Sequence, residues 1–404
     1  MQKRKTRLNP LVGSARRQVA QVLNQVFGPG QVAPTGTAAS LGPEDQAEQL
    51  PLILAAVSGG PDSLALAALL AHFNRRKDLR VGAIVVDHQL QPASSQVAER
   101  TVQLLNDLGL APVLLERVTV EEGREGPEMA ARKARYGAFA RALAATGASA
   151  IALGHTLDDQ AETVLLGLAR GSGTRSLAGM PLDRVEEHPA GPLRLIRPLL
   201  QLRRRQIEEI CAAEGLEPWY DPTNNDQSLM RARVRHRILP YLEEHLGGDV
   251  ALSLARTAAI TGADADYLSS AAQQAFSSLL IQPQDLAGLG PDLTGALGLG
   301  AGEPALLLDR QALLELHPAL RYRVLALALE EAGGLAASFE RLSALDHFVQ
   351  ELPIAGPLEL PGHLSAYRRR PACQLQLQGQ RRNLKKTGLI VLLKTSPSTI
   401  LKGN

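Results

Sequence analysis

Apolar positions change their period several times along the chain. Val19, Val22 and Val26 recur at the i, i+3, i+7 spacing of one helix face, predicting a helix over residues 10–28. Residues 29–50, rich in Gly, Pro and Ala, read as a linker. Beyond it, near-continuous apolar runs predict strands at 52–57, 81–87, 112–118 and 149–154. Helical patterns lie between and after them at about 62–76, 94–109, 128–146 and 158–170. Buried strands alternating with helices of 10–15 residues imply βαβ units and a parallel sheet covered on both faces. In such sheets ligands bind beyond the carboxyl ends of the strands. Attention therefore falls on Ser58–Ser63, Asp87–His88 and Gly154–His155.

The pattern shifts after residue 194. Arg194, Arg197, Arg203, Arg204, Arg205, Arg231, Arg233, Arg235 and Arg237 crowd one region. A long helix is predicted over 249–280, a Gly/Pro-rich linker or loop over 281–305, helices at 309–332 and 337–351, and strand-like pieces around 357–377. The apolar run 388–393 predicts a further packed strand. From Arg368 to Asn404 there are nine Lys/Arg and no Asp or Glu, either a basic phosphate-contacting surface or a disordered tail.

At 404 residues the chain is long enough for two or three domains. Net charge is only +2, so any nucleic-acid role rests on local basic patches rather than on the total. Its two cysteines, Cys211 and Cys373, form no CxxC pair, which argues against a zinc ribbon, an iron–sulfur site or a dithiol motif. Few cysteines suit a reducing cytoplasm. The basic start MQKRKTRLNP has no apolar stretch after it, so no signal peptide is expected, and no run is long enough to span a membrane.

Candidate chemistry begins at 58-SGGPDS-63. Gly59 and Gly60 let backbone N–H groups approach an anion without a Cβ in the way. Ser58 and Ser63 add hydroxyls, and Pro61 is preorganised for a first helical position. The helix that starts here aims its positive end into the loop. Asp62 would repel phosphate unless Mg²⁺ sits between them. The bland alternative is a strand-to-helix turn capped by Ser and Asp. In 154-GHTLDDQAETVLLGLARGSG-173, Asp158 and Glu162 share one helix face, with Asp159 adjacent. Three carboxylates there suit either a well-capped helix or a site for Mg²⁺ or an ammonium group.

SGGPDS resembles the SGGxDS loop of the N-type ATP pyrophosphatases, which cleave ATP between its α- and β-phosphates. The block at 154–173 resembles the GHHxDDQAETxLxxLxRGSG block of tRNA(Ile)-lysidine synthetases, with Thr156 where the family often has a second His. In the same order, 86-VDHQLQPAS-94 resembles VDHxLRxxS, with Gln91 for Arg, and 128-EMAARKARYGAF-139 resembles ExxARxARYxxF. 197-RPLLQLRRRQI-207 and 219-WYDPTNND-226 also resemble family segments, and 231-RARVRHRILP-240 departs from RNxIR at Ala232. The resemblance is specific over about 50–245 and looser beyond.

It implies an α/β fold: a parallel-sheet, Rossmann-like (HUP-type) ATP-pyrophosphatase domain, then a helical linker and a smaller C-terminal α+β domain. The implied division is 1–48, N-terminal helix and linker; 49–245, catalytic domain; 246–404, helical linker and tRNA-binding domain. The implied substrates are ATP, with Mg²⁺, L-lysine and tRNA(Ile) with a CAU anticodon. ATP adenylylates O2 of the wobble cytosine, and the lysine ε-amine then displaces AMP at C2 to give lysidine. Ser58, Gly59, Gly60, Pro61, Asp62, Ser63, Asp87, His88, Gly154 and His155 would bind ATP. Asp62 would also hold Mg²⁺. Arg132, Arg135 and His155 would join it in catalysis. Asp158, Asp159 and Glu162 would bind lysine; Arg203, Arg204, Arg205, Arg231, Arg233, Arg235 and Arg237 would bind tRNA. A cytoplasmic location and a homodimer are carried over as expectations. The rivals are a tRNA thiolase, which needs paired cysteines, a small-molecule amide synthetase, which needs no arginine cluster, and a non-catalytic tRNA-binding protein on the same fold.

Overall fold

A computed structural model of the chain describes residues 9–30, 32, 50–89, 94–120, 126–171, 173–221, 227–282, 285–287, 295, 297, 304–335, 338–350, 357–370, 374–377 and 380–394. Gln91, Cys373, the stretch 222–226 and most of the 29–50 linker lie outside them. The chain divides into two units, Met1–Gly262 and Ala263–Asn404.

In the first unit, helix α1 (Pro10–Phe27) precedes strand β1 (Leu52–Ala56). Then follow α2 (Pro61–Arg75), β2 (Arg80–Asp87), α3 (Ser94–Asp107), β3 (Val113–Arg117), α4 (Pro127–Thr146), β4 (Ala150–Ala152) and α5 (Leu157–Ala169). A short α6 (Thr174–Leu177), β5 (Asp183–Glu186), β6 (Leu193–Ile196) and α7 (Arg204–Ala213) complete the sheet region. The sheet order is β3-β2-β1-β4-β6-β5. All pairings are parallel except β5 with β6. The strand order reverses beside β1: β2 pairs on one side and β4 on the other. That reversal opens a crevice beyond the carboxyl ends of β1 and β4.

Side-chain alternation along β1 fixes the layers. Ile53 and Ala55 face a core with Val19, Leu23, Phe73, Ile207 and Ile210, from α1, α2 and α7. Leu54 faces the opposite core with Ile84, Phe139, Ile151 and Leu195, roofed by α4. The four strands and four helices expected between 52 and 170 are all present. Strands β5 and β6 have no counterpart among the sequence expectations. They are four residues each, and Arg194 interrupts the apolar run of β6. It forks onto Asp183 of β5 with bonds of 3.0 and 2.6 Å.

After α7 come α8 (Met230–Arg233), a π-helical segment Val234–Ile238, α9 (Leu239–Leu246) and α10 (Val250–Leu279). In the second unit β7 (Leu286–Ala287) and β8 (Pro304–Asp309) precede three helices, Arg310–Glu315, Pro318–Glu331 and Phe339–Gln350. Strands β9 (Leu358–Leu360), β10 (Leu364–Arg369), β11 (Gln374–Leu377), β12 (Gln380–Asn383) and β13 (Leu389–Lys394) follow. They form an antiparallel sheet β8-β13-β10-β9 and a smaller one, β12-β11-β7. The core of this unit joins Leu308, Val324, Leu345, Phe348, Leu364 and Ile390. The single helix expected at 309–332 is two. Pro318 cannot donate to a preceding turn, so the chain breaks at Leu316–His317, and His317 caps the second helix through the Ala319 amide at 3.2 Å.

Gly82 sits where β2 passes closest to its neighbours. A Cβ there would lie 2.6 Å from the Pro112 carbonyl oxygen and 2.7 Å from Leu54 Cδ2. Because the nearer obstacle is backbone, Gly82→Ala is expected to destabilise the first unit by ~1–3 kcal/mol. Urea unfolding reads this directly, and a variant as stable as the parent would contradict the packing described.

Candidate active site

Three loop ends converge at the crevice. The first is the turn from β1 into α2. Gly59 has φ +86°, and a Cβ there would lie 2.8 Å from Thr101 Oγ1, so glycine is required on both counts. Ser63 Oγ accepts from the Ser58 amide at 3.1 Å and donates to the Gly60 carbonyl at 2.9 Å. Ser58 Oγ lies 3.3 Å from the same hydroxyl. Pro61 occupies the first turn of α2. From outside, the Trp219 amide donates to the Gly59 carbonyl at 2.9 Å. Trp219 thus has a backbone role here that its rarity in the sequence does not suggest.

The second is the turn from β4 into α5. A Cβ on Gly154 would lie 3.0 Å from the Asp62 carbonyl carbon and 3.1 Å from the Ser63 amide nitrogen, so the two turns touch. Thr156 caps α5 through a capping box. Its amide and its hydroxyl each donate to Asp159 Oδ2 at 2.8 Å. The T-x-x-D spacing in TLDD is the sequence signal for this cap.

The third carries the arginines. Asp158 Oδ2 accepts from the Arg204 amide at 2.7 Å, placing a carboxylate at the positive end of α7. Arg203 contacts Asp158 at 3.2 Å and also pairs with Asp249. Arg204 spans Asp62 at 3.5 Å and Asp159 at 3.3 Å. Arg235, on the π-helical segment, forks onto the fully buried Glu162 at 2.6 and 3.0 Å. It also reaches Asp159 at 3.1 Å. Arg203, Arg204 and Arg235, expected as tRNA contacts, are therefore bound into the carboxylate cluster. Arg205, Arg231, Arg233 and Arg237 are exposed.

Of the other expected residues, Asp87 accepts from the Gln89 amide and the Ser95 hydroxyl, each at 2.9 Å. Arg132 donates to the Tyr136 hydroxyl at 2.7 Å, with its guanidinium 4.5 Å over that ring. Arg197, buried beside the site, donates to the Pro181 carbonyl at 2.6 Å. Arg135 and Arg197 both act on His155: burial lowers His155 to about 4, the arginines reinforce this, and Asp159 opposes it. The imidazole is neutral at pH 7, with a proton affinity well below that of an effective base there. Burial lowers His88 as well, with Arg135 adding to it.

Four carboxylates face three guanidiniums, and burial pushes two of the four, Glu162 and Asp62, above the usual carboxylate range. Among the described residues the buried Oδ1 of Asp62 accepts no hydrogen bond. Burial pushes its carboxyl up to about 6; Asp159 and Asp158 add to the rise, while Arg204 and Arg235 oppose it. Asp159 goes the other way, because Arg204, the Thr156 amide, His155 and Arg235 outweigh its burial. A divalent cation fits at Asp62: it would satisfy the orphan oxygen and the surplus charge. Among the described residues no group of three or more His, Cys, Asp or Glu is arranged to hold a metal. The rest of such an ion's shell would be water and phosphate oxygens.

Residues 35–242 match the family model described as a PP-loop domain. A tRNA(Ile)-lysidine synthase from Leifsonia xyli subsp. xyli is 46% identical over 311 residues, covering 77% of this chain and 86% of that protein. Those of Bifidobacterium animalis subsp. lactis and Thermobifida fusca are 40% and 44% identical, covering 81% and 77% of this chain and 85% and 87% of theirs.

The charge balance at the crevice can be tested through stability. In the unfolded chain Asp62 releases its proton near 3.8, whereas in the folded chain it does so near 6. Folded Asp62 binds more proton between those values, so its contribution to stability falls as pH rises through them. Asp62→Asn should therefore be more stable than the parent above pH ~6, with the gain gone by pH ~4. The gain should be ~1–2 kcal/mol, since 26% of the side chain still meets water. Urea unfolding across this range reads it, and a gain that grew on acidification would contradict the assignment. Arg235→Ala should cost ~3–5 kcal/mol by stranding Glu162, and the Arg235→Met, Glu162→Met pair should recover much of it. Equal losses in both variants would show that the pair is not coupled.

With a PP-loop domain over half its length and similarity to these synthases over most of it, the chain belongs to the tRNA(Ile)-lysidine synthase family.

Proposed function

We infer that this protein joins L-lysine to the wobble cytidine of a tRNA(Ile) with a CAU anticodon, using ATP and releasing AMP and pyrophosphate. The observation that carries the reading is the contact of two turns, the phosphate-type loop Ser58–Ser63 and the turn at Gly154 that leads into the capped acidic helix start Thr156–Glu162. A nucleotide's phosphates and an incoming amine can thus be held side by side. Similarity to relatives named for this reaction, over 77% of the chain, supports it.

In the first step cytosine O2 attacks the α-phosphorus, and the bond to the leaving pyrophosphate breaks. The loop amides and the start of α2 receive the pyrophosphate. Asp62 would hold Mg²⁺, which supplies positive charge to the phosphates. Arg132 and Arg135 stabilise charge developing at the α-phosphate. Gly154 and His155 at the end of β4, with Asp87 and His88 at the end of β2, border the nucleoside. In the second step the lysine ε-amine, having lost a proton, attacks C2, and O2 departs with AMP. Asp158, Asp159 and Glu162 attract the lysine ammonium groups. Each already shares its charge with an arginine, so lysine is held by a balanced lattice rather than by a bare acid cluster. The ε-ammonium proton passes to one of these carboxylates, because burial, which lowers His155 to about 4, leaves that imidazole ill-matched to the task.

Residues 49–245 would carry the chemistry and 246–404 the helical linker and a tRNA-binding domain, with Arg205, Arg231, Arg233 and Arg237 as phosphate contacts. Among the described residues no helix is long and apolar enough to cross a membrane. A cytoplasmic homodimer completes the proposal.

The test is incorporation of labelled lysine into two tRNA(Ile) transcripts, one with C and one with U at the wobble position, with ATP and Mg²⁺. Only the C transcript should be labelled, and Asp62→Ala should slow this by roughly 100-fold or more while still binding tRNA. Label in neither transcript, with pyrophosphate released in the presence of another amine or acid, would keep the nucleotide chemistry and discard the substrate.

A further inference from the structure

The run Met230–Leu246 that delivers Arg235 has a second face. Ala232, Val234 and Leu239 are buried and Arg235 points to Glu162, so these positions define the inward side. Arg233, Arg237, Tyr241 and His245 recur every fourth residue on the other side, and all four are exposed. Tyr241 is 59% exposed, large for an aromatic ring on a folded helix. Its ring stacks on that of His245, with centroids 4.0 Å apart and planes at 23°. The His245 Nδ1 lies 3.0 Å from the Tyr241 carbonyl oxygen, which fixes the imidazole against the helix. Among the described residues no carboxylate pairs with Arg233 or Arg237, whereas Glu243 of the same run turns to Arg203 at 3.8 Å.

From this row we propose that Tyr241 and His245 form a stacking platform for an unpaired RNA base, with Arg233 and Arg237 gripping the flanking phosphates. An exposed flat pair, continued by guanidiniums that no carboxylate among the described residues neutralises, is complementary to single-stranded nucleic acid: the ring takes a base face and the arginines take the backbone. The platform lies on the opposite side of the run from Arg235 and further along it, so a helix thickness of ~10–12 Å and an axial rise of ~9–15 Å separate it from the Glu162 cluster. A base drawn out of its loop toward that cluster leaves a neighbour unstacked, and the platform offers that neighbour a replacement surface. The proposal rests on the tRNA reading above and adds to it a site that the crevice residues do not include.

The test is equilibrium binding of a fluorescent tRNA(Ile) transcript to the full-length chain, read by anisotropy and independent of lysine transfer. Tyr241→Ala should weaken binding roughly 5- to 100-fold, and Tyr241→Phe should bind like the parent. Arg233→Gln and Arg237→Gln should each lower the slope of log affinity against log salt by ~0.7–0.9. An unchanged melting temperature would exclude unfolding as the cause. Loss in Tyr241→Ala without lysine transfer by the parent would keep the platform and reject the lysine reading. Equal affinities for the parent, Tyr241→Ala and Tyr241→Phe would overturn the platform. So would a Tyr241→Ala chain that sediments as a smaller species than the parent, because the face would then be covered by a second copy.

Discussion

Four acidic side chains cannot share one half-buried crevice unless positive charge comes with them. Asp62, Asp158, Asp159 and Glu162 meet there because β1 and β4 are neighbours in the sheet. Arg203, Arg204 and Arg235 answer them from two later helical segments. Because Glu162 has no exposure to water, its pairing with Arg235 is a condition of the fold rather than a surface ornament. Arg204 extends the arrangement by linking Asp62 of the phosphate-type loop to Asp159 of the acidic helix. That guanidinium adds a charged link to the strand pairing and the Gly154 contact that already join the two halves of the crevice.

The π-helical turn has a physical use in this arrangement. A π segment adds a residue to the local turn and so redirects side chains relative to a continuous α-helix. Here the wider turn holds Arg235, and the exposed Arg233 and Arg237 flank it. One short segment thus presents arginine to the protein on one side and to solvent on the other. The departure at Ala232 fits this division, since that position is buried on the inward side.

What was legible in the sequence follows the range of the interactions. Strands β1 to β4 and their helices could be read because period and turn chemistry are local properties, and SGGPDS declared its turn through Gly59, Pro61 and Ser63. Strands β5 and β6 could not: they are short, and what joins them includes an ion pair between Arg194 and Asp183. The arginines were visible as a cluster, but their division was hidden. Whether Arg235 faces a carboxylate or an RNA phosphate depends on Glu162, 73 residues away. The likeness of 154–173 to a family block located the carboxylates, and only the folded chain showed that each already has a guanidinium.

Which molecule receives the α-phosphate decides between base activation and amino-acid activation at this crevice. Exchange of labelled pyrophosphate into ATP reads it, followed once with tRNA(Ile) and no lysine and once with lysine and no tRNA. A loop that adenylylates the wobble cytosine predicts exchange with tRNA alone and none with lysine alone. Exchange that required lysine and ignored tRNA would mean that the crevice activates the amino acid's carboxylate, and adenylylation of the base could not then be the first step.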